Sequence, residues 1–206
     1  MKLYYAETMN PRKVCALAKH LGSPVEYQRI ELGQGEHKSP EHLARNPNGL
    51  VPVLVDQGRS IWESGAIMVH LAYKSGSEMW PLRDPDKQVE VVRWLSWEAA
   101  MWAPTAGTFY FERMIKPMFG MGETDLAVLE KKTKPLHRLA KVIEQRLAIN
   151  RFLAGNTMTI ADFAVGALFP WADQIQLPIG DYRSIARWHD ELMKLDAWRD
   201  PWPTQA

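Results

Sequence analysis

The chain has 206 residues, 46% of them hydrophobic, with a net charge of +1. That length supports one large domain or two small ones with real cores, and the near-neutral charge removes any electrostatic case for nucleic acid or an anionic membrane. No apolar run approaches the roughly 20 residues of a membrane span, and a lone cysteine, Cys15, excludes an internal disulfide and cannot build a metal site by itself.

The elements follow in order. Lys2–Tyr5 reads as a strand, and because Met1 leads straight into it, no signal peptide is expected and the chain is read as cytoplasmic. Arg12–Leu21 reads as a helix with Val14, Leu17, Ala18 and Leu21 on one face, ended by Gly22. Glu26–Ile30 is a second strand. A polar loop, Gly33–Ser39, leads into a short helix, Pro40–Arg45.

Asn46–Gly49 is turn material, since Asn tolerates a left-handed φ and Gly supplies it freely. Pro52 then interrupts the apolar run Leu50–Val55. A proline removes a ladder donor, so the backbone around Val51 must face something other than a neighbouring strand. Asp56–Arg59 turns the chain into a short strand, Ser60–Trp62, and a helix begins at Glu63-Ser64 and runs to Lys74. A hydroxyl and free backbone N–H groups at a helix start make a carboxylate site. An open backbone edge beside such a site suits an extended, peptide-like anion. A plain hairpin followed by a capped helix is the competing structural reading.

Composition changes after Gly76: eight of the nine tryptophans and all six phenylalanines lie beyond it. Residues 77–85, with Pro81 and Pro85, read as a linker. From Asp86 the pattern is helical. Val89, Val92, Leu95, Trp97 and Met101 fall near helical spacing, and Asp125–Leu147 forms a long helix with Pro135 as a kink or break. Phe163–Trp171 and Ile185–Leu195 read as two more helices. Thr159-Ile160-Ala161-Asp162 is a reciprocal capping signal that serves folding.

The ordered set Asn46-Pro47-Asn48-Gly49-Leu50-Val51-Pro52-Val53-Leu54 and Glu63-Ser64-Gly65-Ala66-Ile67 resembles the glutathione-binding half of cytosolic glutathione transferases. Gly155, Thr159, Ala161 and Asp162 match a pattern of that family's helical domain. Asn150–Gly155 and Phe111–Pro117 look most like its phi and theta branches. The resemblance implies an α+β chain: an N-terminal thioredoxin-like domain over 1–76, a linker over 77–85 and an all-α helical domain over 86–206. The strand–helix–strand, hairpin, helix order agrees with the first of these. It further implies a cis peptide before Pro52, main-chain pairing of Val51 with the cysteinyl part of glutathione, and Glu63 and Ser64 at the γ-glutamyl end. His37 and Lys38 fall in the loop with which phi-like relatives hold the glycine carboxylate. The chain is expected to be a homodimer, to use glutathione as a co-substrate and to need no metal.

Glutathione chemistry needs a thiolate. Lowering a thiol pKa of ~8.5 by two units takes about 2.7 kcal/mol of preferential stabilisation of the anion. One hydrogen bond to a charged group supplies ~1.5–3 kcal/mol, and a helix N-terminus adds ~0.3–1 kcal/mol. One good donor at the start of the first helix is enough. The phi and theta branches place a serine four residues before an Arg-Arg-Val-like triplet. Here that position is Thr8, and Thr8-Met9-Asn10-Pro11-Arg12-Lys13 also resembles the nu branch, in which Thr and Asn both approach the sulfur. Asn10 has an alternative reading as the N-cap before Pro11 at the first helical position. Tyr5 and Cys15 read as core residues, and His189 and Asp190 have no triad partner in view.

Trp102, Ala106 and Phe109 share a helix face, with Pro104 as a possible bend; Met9, Trp102 and Phe109 are the candidates for an electrophile pocket, against the alternative that the stripe is core. The favoured activity is attack of the glutathione thiolate on a hydrophobic electrophile. The rivals are a glutathione-dependent disulfide reductase or peroxidase, and a non-catalytic binding protein on the same fold.

Overall fold

The computed structural model describes residues 1–203. The chain divides into two compact units: Met1–Leu82 together with the segment from Leu195 onward, and Arg83–Lys194.

The first unit is a four-stranded sheet with helices. Strand β1 (Lys2–Tyr5) is followed by α1 (Met9–His20), β2 (Glu26–Arg29), two 3-10 turns (Leu32–Gln34 and Glu36–Lys38) and α2 (Pro40–Arg45). The hairpin β3 (Val53–Asp56) and β4 (Arg59–Trp62) then leads into α3 (Ser64–Ser75). Strand order is β2-β1-β3-β4, with β1 parallel to β2 and antiparallel to β3. This is the thioredoxin-like arrangement that the order of elements predicted. A parallel β1–β2 pair needs a crossover, and α1 supplies it. The buried side of α1 carries Val14, Cys15, Leu17 and Ala18, and α3 contributes Ile67, Met68, Leu71 and Ala72 to the interior.

Two local differences from the sequence reading have clear causes. Helix α1 starts at Met9, three residues before Arg12. Thr8, extended at φ −129 and ψ 171, is its N-cap, so Asn10 is the second helical residue and not the cap, and Pro11 is the third. Proline is tolerated there because first-turn N–H groups have no helical partner. Strand β3 starts at Val53, not Leu50. The Val51–Pro52 peptide is cis, and the Leu50 carbonyl is taken by two side chains, so no ladder can extend back through it.

The second unit is helical. It comprises α4 (Pro85–Trp97), α5 (Ala103–Tyr110), α6 (Lys116–Met118), α7 (Leu126–Ile149), α8 (Ile160–Val165) and α9 (Arg183–Met193). Wide π-type turns, Glu98–Trp102 and Phe111–Ile115, join α4 to α5 and α5 to α6. Each ends two residues before a proline, Pro104 or Pro117. The wide turn makes room where the proline ring would meet a carbonyl four residues back. Helix α7 continues through Pro135 without a break, its buried seam running Leu136, Leu139, Ala140, Ile143 and Leu147. The stretch expected as a helix over Phe163–Trp171 is instead α8 followed by a 3-10 segment, Gly166–Trp171, which carries Pro170 inside it.

The last segment departs from the expected helical domain of 86–206. Helix α10 (Asp196–Arg199) packs against α1, and Trp202 after it stacks on Tyr5, so this segment belongs with the first unit. Residues expected as a linker are ordered: Trp80 N–H donates to Ser77 O at 3.1 Å, and Met79 is buried.

Candidate functional site

Strand register brings the predicted glutathione contacts to one end of the sheet. Tyr4 pairs with Val53 across β1–β3, and Val53 pairs with Trp62 across β3–β4. Val51 stands two residues before Val53, where the ladder stops at the cis Val51–Pro52 peptide. Both neighbouring strands leave the sheet there, β1 into α1 and β4 into α3. No hydrogen bond from the described residues reaches the Val51 amide or carbonyl.

The loop that presents Val51 is tightly tied. His42, 1% exposed on α2, places Nε2 at 3.0 Å from Leu50 O, and Asn46 Nδ2 donates to the same carbonyl at 2.8 Å. Asn46 Oδ1 accepts from Asn48 N at 3.1 Å, and Gly49 N donates to Asn46 O at 2.9 Å. Sequence reasoning missed His42. The available signal was its spacing of one helical turn before Asn46.

Lys38 and His37 lie against this loop. Lys38 Nζ donates to Asn48 O at 3.3 Å. A Cβ on Gly49 would sit 2.7 Å from Lys38 Nζ and 3.0 Å from His37 O, and Gly49 has φ +60, so only glycine fits. Burial, followed by the Lys38 and His42 charges, lowers the His37 pKa below its ordinary value. His37 is therefore a neutral hydrogen-bonding imidazole at pH 7 and Lys38 the cation of the pair. His37 Nδ1 is buried without a partner.

Ser64 is the first residue of the 12-residue α3 and is 9% exposed. The first-turn amides of Ser64, Gly65 and Ala66 have no helical acceptor, because the first closed turn is Ile67 N to Glu63 O at 3.0 Å. Glu63 precedes them with φ 70, a conformation that non-glycine residues adopt at a cost and that clusters at ligand sites. Its carboxylate is exposed.

Thr8 caps α1 with its backbone while its hydroxyl makes no capping bond. Its own amide donates to Ala6 O at 2.7 Å, and its carbonyl accepts from Arg12 N at 3.0 Å. Met9 is half-buried and Asn10 exposed beside it. Tyr5 is 4% exposed, stacked on Trp202 and edge-on to Tyr27. Burial, with Cys15 and Glu7 nearby, raises its pKa. Cys15 is fully buried, and burial pushes its thiol far up, away from the thiolate. Both are core residues.

Trp102 and Phe109 are interior residues of the helical unit, 1% and 3% exposed. Trp102 stacks between Trp97 and Phe169, at 6.0 and 5.9 Å, and donates Nε1–H to Val165 O at 3.1 Å. The aromatic stripe is core, the alternative weighed for it from spacing. Among the described residues no group of three or more His, Cys, Asp or Glu could hold a metal ion.

This frame agrees with known proteins. The family "Glutathione S-transferase, N-terminal domain" matches residues 1–73, and "Glutathione S-transferase, C-terminal domain" matches residues 102–196. A probable glutathione S-transferase, GSTF2, from Oryza sativa subsp. japonica is 31% identical over 196 residues, covering 94% of this chain and 91% of that protein. The chain belongs to the glutathione S-transferase family. Glutathione S-transferase 1 of Zea mays is 36% identical over 163 residues, covering 79% of this chain and 76% of that one. Among solved structures, a glutathione S-transferase I bound with lactoylglutathione superposes with a TM-score of 0.89 at 29% identity, with 97% of each chain covered. The maize glutathione S-transferase I in complex with an atrazine glutathione conjugate does so at 0.86 and 30%, covering 98% and 99%. The glutathione S-transferase resemblance thus extends over both units.

Proposed function

We infer that the protein is a glutathione transferase that activates the thiol of glutathione for attack on hydrophobic electrophiles. The observation that carries this is the convergence, at one sheet end, of an unpaired Val51 main chain, the free start of α3 at Ser64 and the hydroxyl-bearing start of α1 at Thr8. An extended tripeptide with a central thiol uses all three: a backbone edge for its middle residue, a helix start for one terminal carboxylate and a hydroxyl donor for the thiolate. Val51 pairs with the cysteinyl unit. Ser64 and the α3 amides hold the γ-glutamyl carboxylate, and exposed Glu63 faces its ammonium. Lys38 with His37 holds the glycine carboxylate. Thr8, with Asn10 beside it, stabilises the thiolate, which fits a phi- or theta-like enzyme carrying a nu-like Thr-x-Asn turn. Met9, half-buried beside Thr8 at the start of α1, contributes to the electrophile pocket from the first unit. The working form is a cytoplasmic homodimer.

The test is the pKa of bound glutathione, read from thiolate absorbance against pH, together with glutathione affinity. Ser64→Ala weakens binding by ~1.5–3 kcal/mol, the worth of a hydrogen bond to a charged group. Thr8→Val and Asn10→Ala each raise the thiol pKa, by roughly one to two units if the whole of such a bond is lost. Tyr5→Phe and Cys15→Ala leave it close to wild type. Equal glutathione affinity in wild type and Ser64→Ala removes the placement. A thiol pKa unmoved by all four changes assigns activation to backbone N–H groups instead.

A second reading has its own observation. Asn10 is exposed at the second position of α1, where a free amide can also hold a glutathione disulfide. Assay of disulfide reduction against conjugation on the same preparation separates the two activities.

A further inference from the structure

Helix α1 carries the start at which the thiolate is held, and it is clamped at three levels by residues from the far end of the chain. Just before the helix, the Tyr5 ring stacks on Trp202 with centroids 6.0 Å apart at 21°. In the first turn, Arg12 is 2% exposed. Its guanidinium lies 4.5 Å from the centroid of the Trp198 ring, and Nη2 donates to the Trp198 carbonyl. In the last turn, Lys19 Nζ donates to the Asp200 carbonyl at 2.7 Å and to its carboxylate at 2.8 Å.

These clamps differ in kind. Lys19–Asp200 is an exposed ion pair, of the sort worth little. Arg12–Trp198 is buried on both sides, with Trp198 at 0% exposure. A buried guanidinium must keep its acceptors, so its position is strongly dictated. Arg12 is also the residue whose amide holds the Thr8 carbonyl, at 3.0 Å. One residue therefore joins the N-cap of α1, through its backbone, to the C-terminal segment, through its side chain.

We propose that Arg12 and Trp198 are positioning residues for glutathione activation: the C-terminal segment 195–202, acting through this pair, fixes the first turn of α1 and hence where the Thr8 hydroxyl points. The proposal rests on the reading of Thr8 as the thiolate donor. Displacement of a hydrogen-bond donor by a fraction of an ångström weakens a charge-assisted bond without removing any group that touches glutathione. The signature is then a loss in thiolate stabilisation with little loss in binding, because Val51, Lys38 and Ser64 are untouched.

The experiment compares Trp198→Ala, Trp198→Phe, Arg12→Lys and Lys19→Met for the pKa of bound glutathione, KM for glutathione, kcat and Tm. Trp198→Ala is expected to raise the bound thiol pKa by about one unit, which lowers kcat below neutral pH roughly tenfold, with KM changed less than threefold. Trp198→Phe keeps a ring under the guanidinium and restores most of the wild-type value. Arg12→Lys keeps the charge but loses the flat stack and the fork, so it behaves like Trp198→Ala and stands in for it if that variant does not fold. Lys19→Met lowers Tm slightly and leaves the pKa at the wild-type value. A wild-type thiol pKa in folded Trp198→Ala or folded Arg12→Lys overturns the proposal, as does an equal shift in Lys19→Met. If Thr8→Val moves the pKa and these variants do not, only the role of the C-terminal segment fails. If Thr8→Val moves nothing, the reading of Thr8 fails first.

Discussion

At the scale of single residues, glycine and a buried imidazole do as much for the site as the groups that would touch glutathione. Gly49 is needed twice over, for its φ of +60 and because a Cβ there would sit 3.0 Å from the His37 carbonyl oxygen. Gly49→Ala is expected to cost about 1–3 kcal/mol in stability. Lys38 can swing its flexible end away, so the larger effect falls on glutathione affinity, because the displaced ammonium is the one assigned to the glycine carboxylate. Denaturant unfolding and a glutathione titration on the same variant check both halves, and an affinity unchanged from wild type would separate Lys38 from the ligand. His42 illustrates a limit of pattern reading. Its spacing of one helical turn before Asn46 is visible in the sequence, but only the fold shows its Nε2 fixing the Leu50 carbonyl ahead of the cis proline.

At the scale of elements, two carboxylates hold helix starts in the helical unit. Asp162 closes the predicted capping box, accepting from the Thr159 amide at 2.8 Å. It also accepts from Leu153 N at 2.9 Å and from Trp188 Nε1 at 3.0 Å, tying α8 to the preceding loop and to α9. Asp162→Ala takes the acceptor from four buried donors, the Thr159 hydroxyl being the fourth. A loss of about 3–5 kcal/mol is expected, well above the ~1 kcal/mol of a surface cap, and thermal unfolding measures it. Glu112 accepts from Lys116 Nζ at 2.6 Å and from the Asp125 amide at 2.8 Å, where Asp125 caps α7. The Lys116 bond, followed by the Asp125 amide, depresses its pKa below 4.5; Lys74 and then His70 do the same for Asp56 below 3.8. A depressed folded pKa contributes stability that is present above the unfolded value and lost as pH falls through the folded one. Tm should therefore fall as pH drops from about 4.5 downward, and Glu112→Gln should flatten that slope. A slope identical in wild type and variant would remove Glu112 as a contributor.

At the scale of the whole molecule, the exposed apolar residues Val89 and Val92 on α4 fit the homodimer that the family resemblance implies. Sedimentation at micromolar concentration should give twice the chain mass of 23.6 kDa, and a monomer would overturn that assignment. The sequence by itself determined most of the local elements. Turn residues at Asn46–Gly49, a proline inside an apolar run and a hydroxyl at a helix start act through short-range sterics and hydrogen bonding, so they are legible without coordinates. The bounds of β1 and α2 follow from the same local rules. Tertiary structure alone decided what depends on partners distant in sequence. Tertiary structure returned residues 195–203 to the first unit, because Arg12 and Trp198 meet across 186 residues of chain. It placed Trp102 in the core, because only packing tells a buried aromatic stripe from a lined cavity. Burial and long-range pairing are properties of the assembled chain, and no spacing along the sequence encodes them.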